Sequence, residues 1–257
     1  MQSKSGRSNN SKIEGTIQME PIPGILLSAG SSERFGSDKL LTLLPTGETL
    51  LERALKVHLQ SMISPLIVVV SLNLGRIIRE NASKLSFSRM RIVKRSALWY
   101  SFSCRWGKGR LVINENSREG MSSSIKKGLS CLKDEEKAGG LLISLADLPL
   151  LTPKTINFFI KKFLEEKIGF LLPVFNDTTG HPVIVDINRF KADISKIKGN
   201  VGLRILIKKY PKVVKKIPWK DDSVTWDIDT PKDLEMLNGL QTTSYLHYLI
   251  PGLMSYD

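Results

Sequence analysis

Three aspartates, two cations and a run of small residues are the groups in this 257-residue chain whose types and spacing suit chemistry. Asp147 follows the apolar run 141–146 and precedes Leu148-Pro149. A carboxylate at the exit of a buried strand can hold Mg2+, a hard ion that takes few protein oxygens and keeps positions for phosphates. The same residue can also simply cap the turn before the proline. Asp227 and Asp229 lie two apart, so in an extended segment both face one side and can approach one ion. Thr230-Pro231 behind them opens a helix, and an aspartate there equally suits a helix cap. The third element is the loop from Leu27, Ser28, Ala29, Gly30 and Ser31 to Arg34 and Lys39. Its small residues let backbone N–H groups close around phosphate oxygens, and the two cations add charge where phosphoryl transfer develops negative charge. The loop is neither a Walker A sequence nor GxGxxG, and by composition alone it can be a plain turn.

Two further segments are candidates. Residues 120–124, from Gly120 to Ser124, precede a helical stretch whose N-terminus offers free N–H groups and a favourable dipole to anions or polar base edges. One of its serines is expected to cap that helix. His181 stands in a turn between Gly180 and Pro182, where a lone histidine can be a packing residue or a ligand-binding one. Lys39, a loop residue, is expected to contribute charge rather than packing.

These groups need a scaffold, and the chain alternates short β-rich runs with amphipathic helical stretches, the α/β pattern. Strands are expected near 25–27, 66–71, 111–113, 141–145, 170–174, 183–185 and 213–217, and helices at 49–62, 74–85, 122–132, from 152–153 onward, 203–209 and 231–240. Residues 177–180 read as a turn between two strands, and the basic, aromatic stretch about 87–108 as an insertion or long hairpin. Residues 1–20 read as a disordered tail, 21–240 as one domain and 241–257 as a C-terminal extension. In a mostly parallel sheet the ligand site lies at the carboxyl ends of the strands, which is where the unusual residues fall.

The run Ser28-Ala29-Gly30-Ser31-Ser32-Glu33-Arg34-Phe35-Gly36, followed by Lys39, resembles the signature loop of the nucleotidyltransferases that make sugar nucleotides and cofactors. Later segments resemble the same MobA/IspD-like family in order: Asn114, residues 120–124, Leu145-Ala146-Asp147-Leu148-Pro149, Gly180-His181-Pro182, Gly199-x-x-Gly202-x-Arg204, and Asp227-Ile228-Asp229-Thr230-Pro231 with Asp233. Together they are most similar to the molybdenum cofactor cytidylyltransferase branch. The resemblance implies a single Rossmann-like α/β domain, with a mostly parallel mixed sheet flanked by helices. It implies a Mg2+-dependent transfer of a nucleoside monophosphate, from CTP in particular, to a phosphorylated acceptor of the molybdopterin type, with release of pyrophosphate. On this reading Asp147 and Asp229 hold the metal; Arg34, Lys39 and Asp147 serve catalysis. Leu27 to Ser31, Arg34, Lys39, Gly120 and Ser124 bind the nucleotide, and Gly180, His181 and Pro182 the acceptor. Ala29 resembles the cytidylyl pattern, where the guanylyl enzymes carry glycine. Phe35 replaces the usual methionine, Ser28 the first alanine, and Asn200 a frequent aspartate.

Charge and composition set the remaining limits. Two cysteines and three scattered histidines give neither a disulfide framework nor a zinc motif. The chain has 41% hydrophobic residues and no run of apolar residues long enough for a membrane helix, so a cytoplasmic protein without a membrane partner is expected. Its net charge of +13 is concentrated in residues 76–110, with ten basic side chains, and 203–220, with seven. Such stretches are ordinarily solvated faces. Nucleic-acid binding by stacking on Trp99, Tyr100, Phe102 and Trp106 is a weaker reading. A molybdoenzyme apo-protein is a candidate partner. The rival functions are transfer to another phosphorylated acceptor, such as a sugar phosphate or isoprenoid precursor, and non-catalytic carriage of a nucleotide-linked cofactor.

Overall fold

The computed structural model describes residues 21–30, 38–81, 91–95, 99–137 and 139–239. The tail at 1–20, the extension at 241–257, and Ser31 and Arg34 of the small-residue loop lie outside them.

Ten strands among the described residues form one mixed sheet: β1 (Ile22–Ser28), β2 (Ile63–Ser71), β3 (Arg91–Arg95), β4 (Tyr100–Cys104), β5 (Gly107–Asn114), β6 (Gly140–Leu145), β7 (Phe170–Phe175), β8 (Thr178–Thr179), β9 (Val183–Asp186) and β10 (Val214–Pro218). Their order is β10-β7-β9-β6-β1-β2-β5-β4-β3, with β8 pairing β7. At the centre β6, β1, β2 and β5 run parallel. They are rich in Val, Ile and Leu because helices cover both faces. The helices are α1 (Leu50–Leu59), α2 (Leu72–Asn81), α3 (Met121–Ser130), α4 (Pro153–Glu166), α5 (Ile187–Lys196), α6 (Arg204–Lys209) and α7 (Pro231–Gly239). Alternate residues of β1 show the division: Ile22 and Leu26 pack under α1, α2, α4 and α7, while Ile25 and Leu27 pack under α3, α5 and α6.

Local chemistry sets several boundaries. Thr49 and Glu52 form a reciprocal capping box at α1, with bonds of 2.7 and 3.1 Å. Thr152 caps α4, with Pro153 in its first turn. α5 was not expected, although Asp186 caps it and Ile187, Phe190 and Ile194 are buried at helical spacing. The basic stretch forms β4 and β5, an antiparallel hairpin that carries the sheet to its β3 edge. Its arginines stack on its own aromatic rings: Arg105 lies 4.6 Å from the Trp106 centroid and Arg110 4.9 Å from that of Trp99.

β9 is antiparallel to β6 and β7. Its amino end, preceded by Gly180-His181-Pro182, therefore reaches the same sheet edge as the carboxyl ends of β1, β2, β5 and β6. Among the described residues no helix is long and apolar enough to cross a membrane.

Candidate active site

β6 is buried along its length, and its pairing with β1 continues one residue past the strand, where Ala146 N donates to Leu27 O at 3.1 Å. Asp147 is thereby delivered at the sheet edge. The turn beyond it is pinned from below by the buried Arg53, whose Nε donates to the Pro149 carbonyl at 3.1 Å. Ile228 N donates to Asp147 O at 3.0 Å, and Ile228 is buried. Its two neighbours in this extended segment consequently turn toward Asp147. Carboxylate oxygens of Asp147, Asp227 and Asp229 lie within 4.8 Å of one another.

Lys39 sits on a short 3-10 turn after Asp38 and places its ammonium among these carboxylates, 2.8 Å from Asp147 Oδ2 and 2.8 Å from Asp229 Oδ1. It is a buried residue, so the expectation of a loop lysine without a packing role is corrected: it is the counter-charge of the cluster. Burial by itself lowers the Lys39 pKa, but Asp147 and Asp229 outweigh it, and the net shift is upward. The Asp227 carboxyl is held above its ordinary range, first by burial and then by the charges of Asp147 and Asp229. Among the described residues three carboxylates stand against one ammonium, an excess of negative charge. Asp147 Oδ1 is buried and has no hydrogen-bond partner among the described residues. This donor set, all carboxylate oxygen with one oxygen unused, fits a hard divalent cation.

The competing roles for these aspartates do not hold geometrically. Asp147 bonds the Lys39 ammonium and no backbone N–H of its turn. The cap before α7 comes from Thr230 and Asp233: Asp233 Oδ2 accepts from Thr230 N at 2.7 Å and from Asp229 N at 3.0 Å, leaving the Asp229 side chain to Lys39. The sequence reading placed the metal on Asp147 and Asp229 and ranked Asp227 lower. The structure sets the Asp227 carboxylate beside those two, as the alternation around Ile228 allows.

On the other side of the edge, Asn114 at the end of β5 donates through Nδ2 to Ser123 Oγ at 2.8 Å and Ser124 Oγ at 3.0 Å. The expected serine cap of α3 is not what forms. Gly120 occupies the cap position, and Met121 N is bonded instead by Asn200 Oδ1 at 3.1 Å, from the segment before α6. Gly120 has φ 97°, and a β-carbon there would lie 2.6 Å from the Gly199 carbonyl carbon, so only glycine allows the two loops to touch. The serines have other uses: Ser123 Oγ lies 2.8 Å from Gly120 O, as donor.

Leu27, Ser28 and Ala29 are buried at the exit of β1, and Gly30 is exposed. Ser28 Oγ has no partner among the described residues. His181 is fixed by its own N–H to Val224 O at 2.8 Å, while Nδ1 lies 3.3 Å from Ile143 O. Burial, the largest cause, lowers its pKa and favours the neutral imidazole. Gly180 is obligatory, since a β-carbon would approach Val224 O to 2.2 Å. His181 faces a cavity of about 250 Å³ beside α6, which sequence reasoning did not foresee.

A parallel-centred sheet carries an acidic cluster, a bridging lysine and the small residues Ser28, Ala29 and Gly30 at one edge, and the sequence comparison assigns the class. The chain belongs to the family of the MobA-like NTP transferase domain, whose pattern matches residues 24–214. It is similar to nicotine blue oxidoreductase of Paenarthrobacter nicotinovorans, with 23% identity over 229 residues, 87% of this chain and 99% of that protein. It is also similar to the purine catabolism protein PucB of Bacillus subtilis (strain 168), with 26% identity over 226 residues, 83% of this chain and 94% of that one. Among solved structures, Rv0371c from Mycobacterium tuberculosis H37Rv has the same fold, with a TM-score of 0.64 at 21% identity over 85% of this chain and 98% of its own. A complex of Rv0371c with manganese gives a TM-score of 0.60 at 19% identity over 85% and 97% of the two chains.

Proposed function

We propose that this protein transfers the nucleoside monophosphate of CTP to the phosphate of a molybdopterin-type acceptor, with pyrophosphate leaving. The observation that carries the reading is the Lys39 ammonium held 2.8 Å from both Asp147 and Asp229, beside an unused buried oxygen of Asp147. Asp147, Asp227 and Asp229 would hold a divalent cation, Mg2+ in this reading, and a relative of the same fold carries manganese. When bound, that ion supplies charge neutralisation for phosphate oxygens. The chain's own residues do the rest by positioning. Lys39, held among these carboxylates, would supply positive charge beside the triphosphate. Arg34 and the amides of the small-residue loop hold the leaving pyrophosphate. The Asn114-Ser124 contact and the start of α3 orient the nucleoside, and the Gly180-His181-Pro182 turn lines the acceptor side. An acceptor phosphate is already ionised at neutral pH, so no general base is needed.

The carrier reading is weaker because a carrier has no use for three clustered carboxylates. Pyrophosphate release from each of the four nucleoside triphosphates, with Mg2+ and molybdopterin as acceptor, tests the proposal. Release that requires both CTP and the acceptor supports it. Stoichiometric binding with no release would turn the assignment to a carrier, and release with a sugar phosphate alone would move the acceptor to that class.

A further inference from the structure

The cavity beside His181 has a charge pattern opposite to that of the acidic cluster. Its floor is apolar, built from Ile143, Leu172 and Val183 of the sheet and from Ile125 and Ile207 of α3 and α6. Around it stand Arg204, Lys208 and Lys216, and among the described residues no acidic side chain lines it. Arg204 and Lys208 are one helical turn apart on α6 and so share a face. Lys216 is the register partner of the buried Leu172 across the β10–β7 pairing, which sets both on the same face of the sheet.

The neighbouring cations behave differently. Lys209, on another face of α6, is 3.0 Å from Asp193, and Lys215, on the other face of β10, is 3.0 Å from Glu166. Arg204, Lys208 and Lys216 make no ion pair or side-chain hydrogen bond among the described residues. Of the other cations in 203–220, Lys209, Lys215 and Lys220 have an acidic partner and Lys212 has none among the described residues, so the three over the cavity are unpaired while most of those pointing away from it are paired. His181 lines this cavity together with Arg204, and the charge of Asp147 reaches it as well.

We infer that Arg204, Lys208 and Lys216 form a second anion subsite, one that receives the far end of the acceptor. The acceptor then carries a second anionic group besides its phosphate. Its reacting phosphate lies at the carboxylate cluster, a flat or apolar body lies over Leu172 and Ile207, and the second anionic group, the dithiolate in a molybdopterin-type acceptor, lies under the three cations. This inference rests on the acceptor entering past His181, as proposed above, and adds a requirement that simple sugar monophosphates do not meet. Three exposed cations attract a dianion at long range as well as on contact, so binding should weaken as salt rises.

The test uses the full chain in EDTA, so that the carboxylate end contributes no metal-dependent binding. The probe is 1-anilinonaphthalene-8-sulfonate, a flat apolar body with one oxyanion, followed by fluorescence. A saturable site that inorganic phosphate competes for, and whose affinity falls roughly tenfold or more in the charge-reversed double variant K208E/K216E, is the expected result. Circular dichroism of the variant checks its fold, which two exposed substitutions should not disturb. Equal probe affinity in parent and variant overturns the inference. A second arm separates this outcome from failure of the transferase reading. Where an acceptor supports pyrophosphate release, K208E/K216E should raise its KM with the CTP KM unchanged, and an unchanged acceptor KM overturns the subsite while the reaction stands. Probe binding lost in the variant, with no pyrophosphate released from any triphosphate, would retain the subsite and sink the transferase reading.

Discussion

Replacing Asp227 by asparagine should change the stability of the protein and its metal affinity in opposite directions. Asp227 lies with Asp147 and Asp229 in a cluster whose oxygens are within 4.8 Å of each other, yet among these three it is the other two that Lys39 bonds. Two unit charges at that distance repel by roughly 3 kcal/mol at an effective dielectric constant of about 20. The half-exposed Asp229 and the through-space attraction of Lys39 reduce this, leaving about 1 to 2 kcal/mol of net strain on the metal-free protein. Asp227→Asn keeps the shape and removes the charge, so the melting temperature in EDTA should rise by roughly 2 to 6 °C for a chain of this size. The pH dependence has a definite sign. The folded-state pKa of Asp227 is raised above 3.8, so the parent loses stability relative to the variant as pH climbs from 3.8 through the raised value, and the two converge only below 3.8. Metal binding moves the other way. Loss of one of three carboxylates should weaken Mg2+ or Mn2+ at least about tenfold, cutting the metal-induced stabilisation by about 1.4 kcal/mol at saturating ion. Thermal melts in EDTA and across a metal titration measure both effects. An asparagine variant that melts below the parent in EDTA, or whose metal titration coincides with the parent's, would refute the reasoning.

Lys39→Met should lower stability in EDTA by about 2 to 3 kcal/mol, because it strands clustered carboxylates, and a divalent cation should restore most of that loss while turnover stays absent. Failure of metal to rescue its melting temperature would deny Lys39 the role of stand-in counter-charge. Asn200→Ala should cost about 1 kcal/mol by uncapping α3, whereas Asn200→Asp should match or exceed the parent through the helix dipole; denaturant unfolding ranks the three. Gly180→Ala drives a β-carbon against Val224 O, so the prediction is either lost stability of about 1 to 3 kcal/mol or a displaced His181, read as a higher acceptor KM. Ala29 is buried at the exit of β1, and its methyl group should favour CTP over GTP by roughly 10- to 200-fold; in Ala29→Gly that ratio of kcat/KM values should narrow. A parent enzyme with equal ratios would remove the argument from Ala29.

The sequence by itself determined the alternation of strands and helices, because apolar periodicity is a local property of the chain. The capping signals at Thr49 and Thr152-Pro153 are equally local, and they set the starts of α1 and α4 where the spacing places them. The ordered motifs also carried the family, since the small-residue loop, Asp147 and the Asp227-Ile228-Asp229 segment are all short-range patterns. α5 was missed although its cap and its buried stripe are visible in hindsight, because Lys and Asp interrupt the apolar residues. Tertiary structure alone decided the antiparallel insertion of β9, which brings the amino end of that strand, and hence His181, to the working edge. It alone decided that Asp233 and Thr230 cap α7 and leave Asp229 for Lys39, although the sequence offered Asp229 as a cap. The same holds for the cap of α3, given by Asn200 from a loop 79 residues away and not by any of the adjacent serines. A residue's type and neighbours limit which partners it can take. Which partner it does take depends on what the sheet brings within about 3 Å, and separations of 108 and 190 residues, as between Lys39 and its two aspartates, leave no mark on local periodicity.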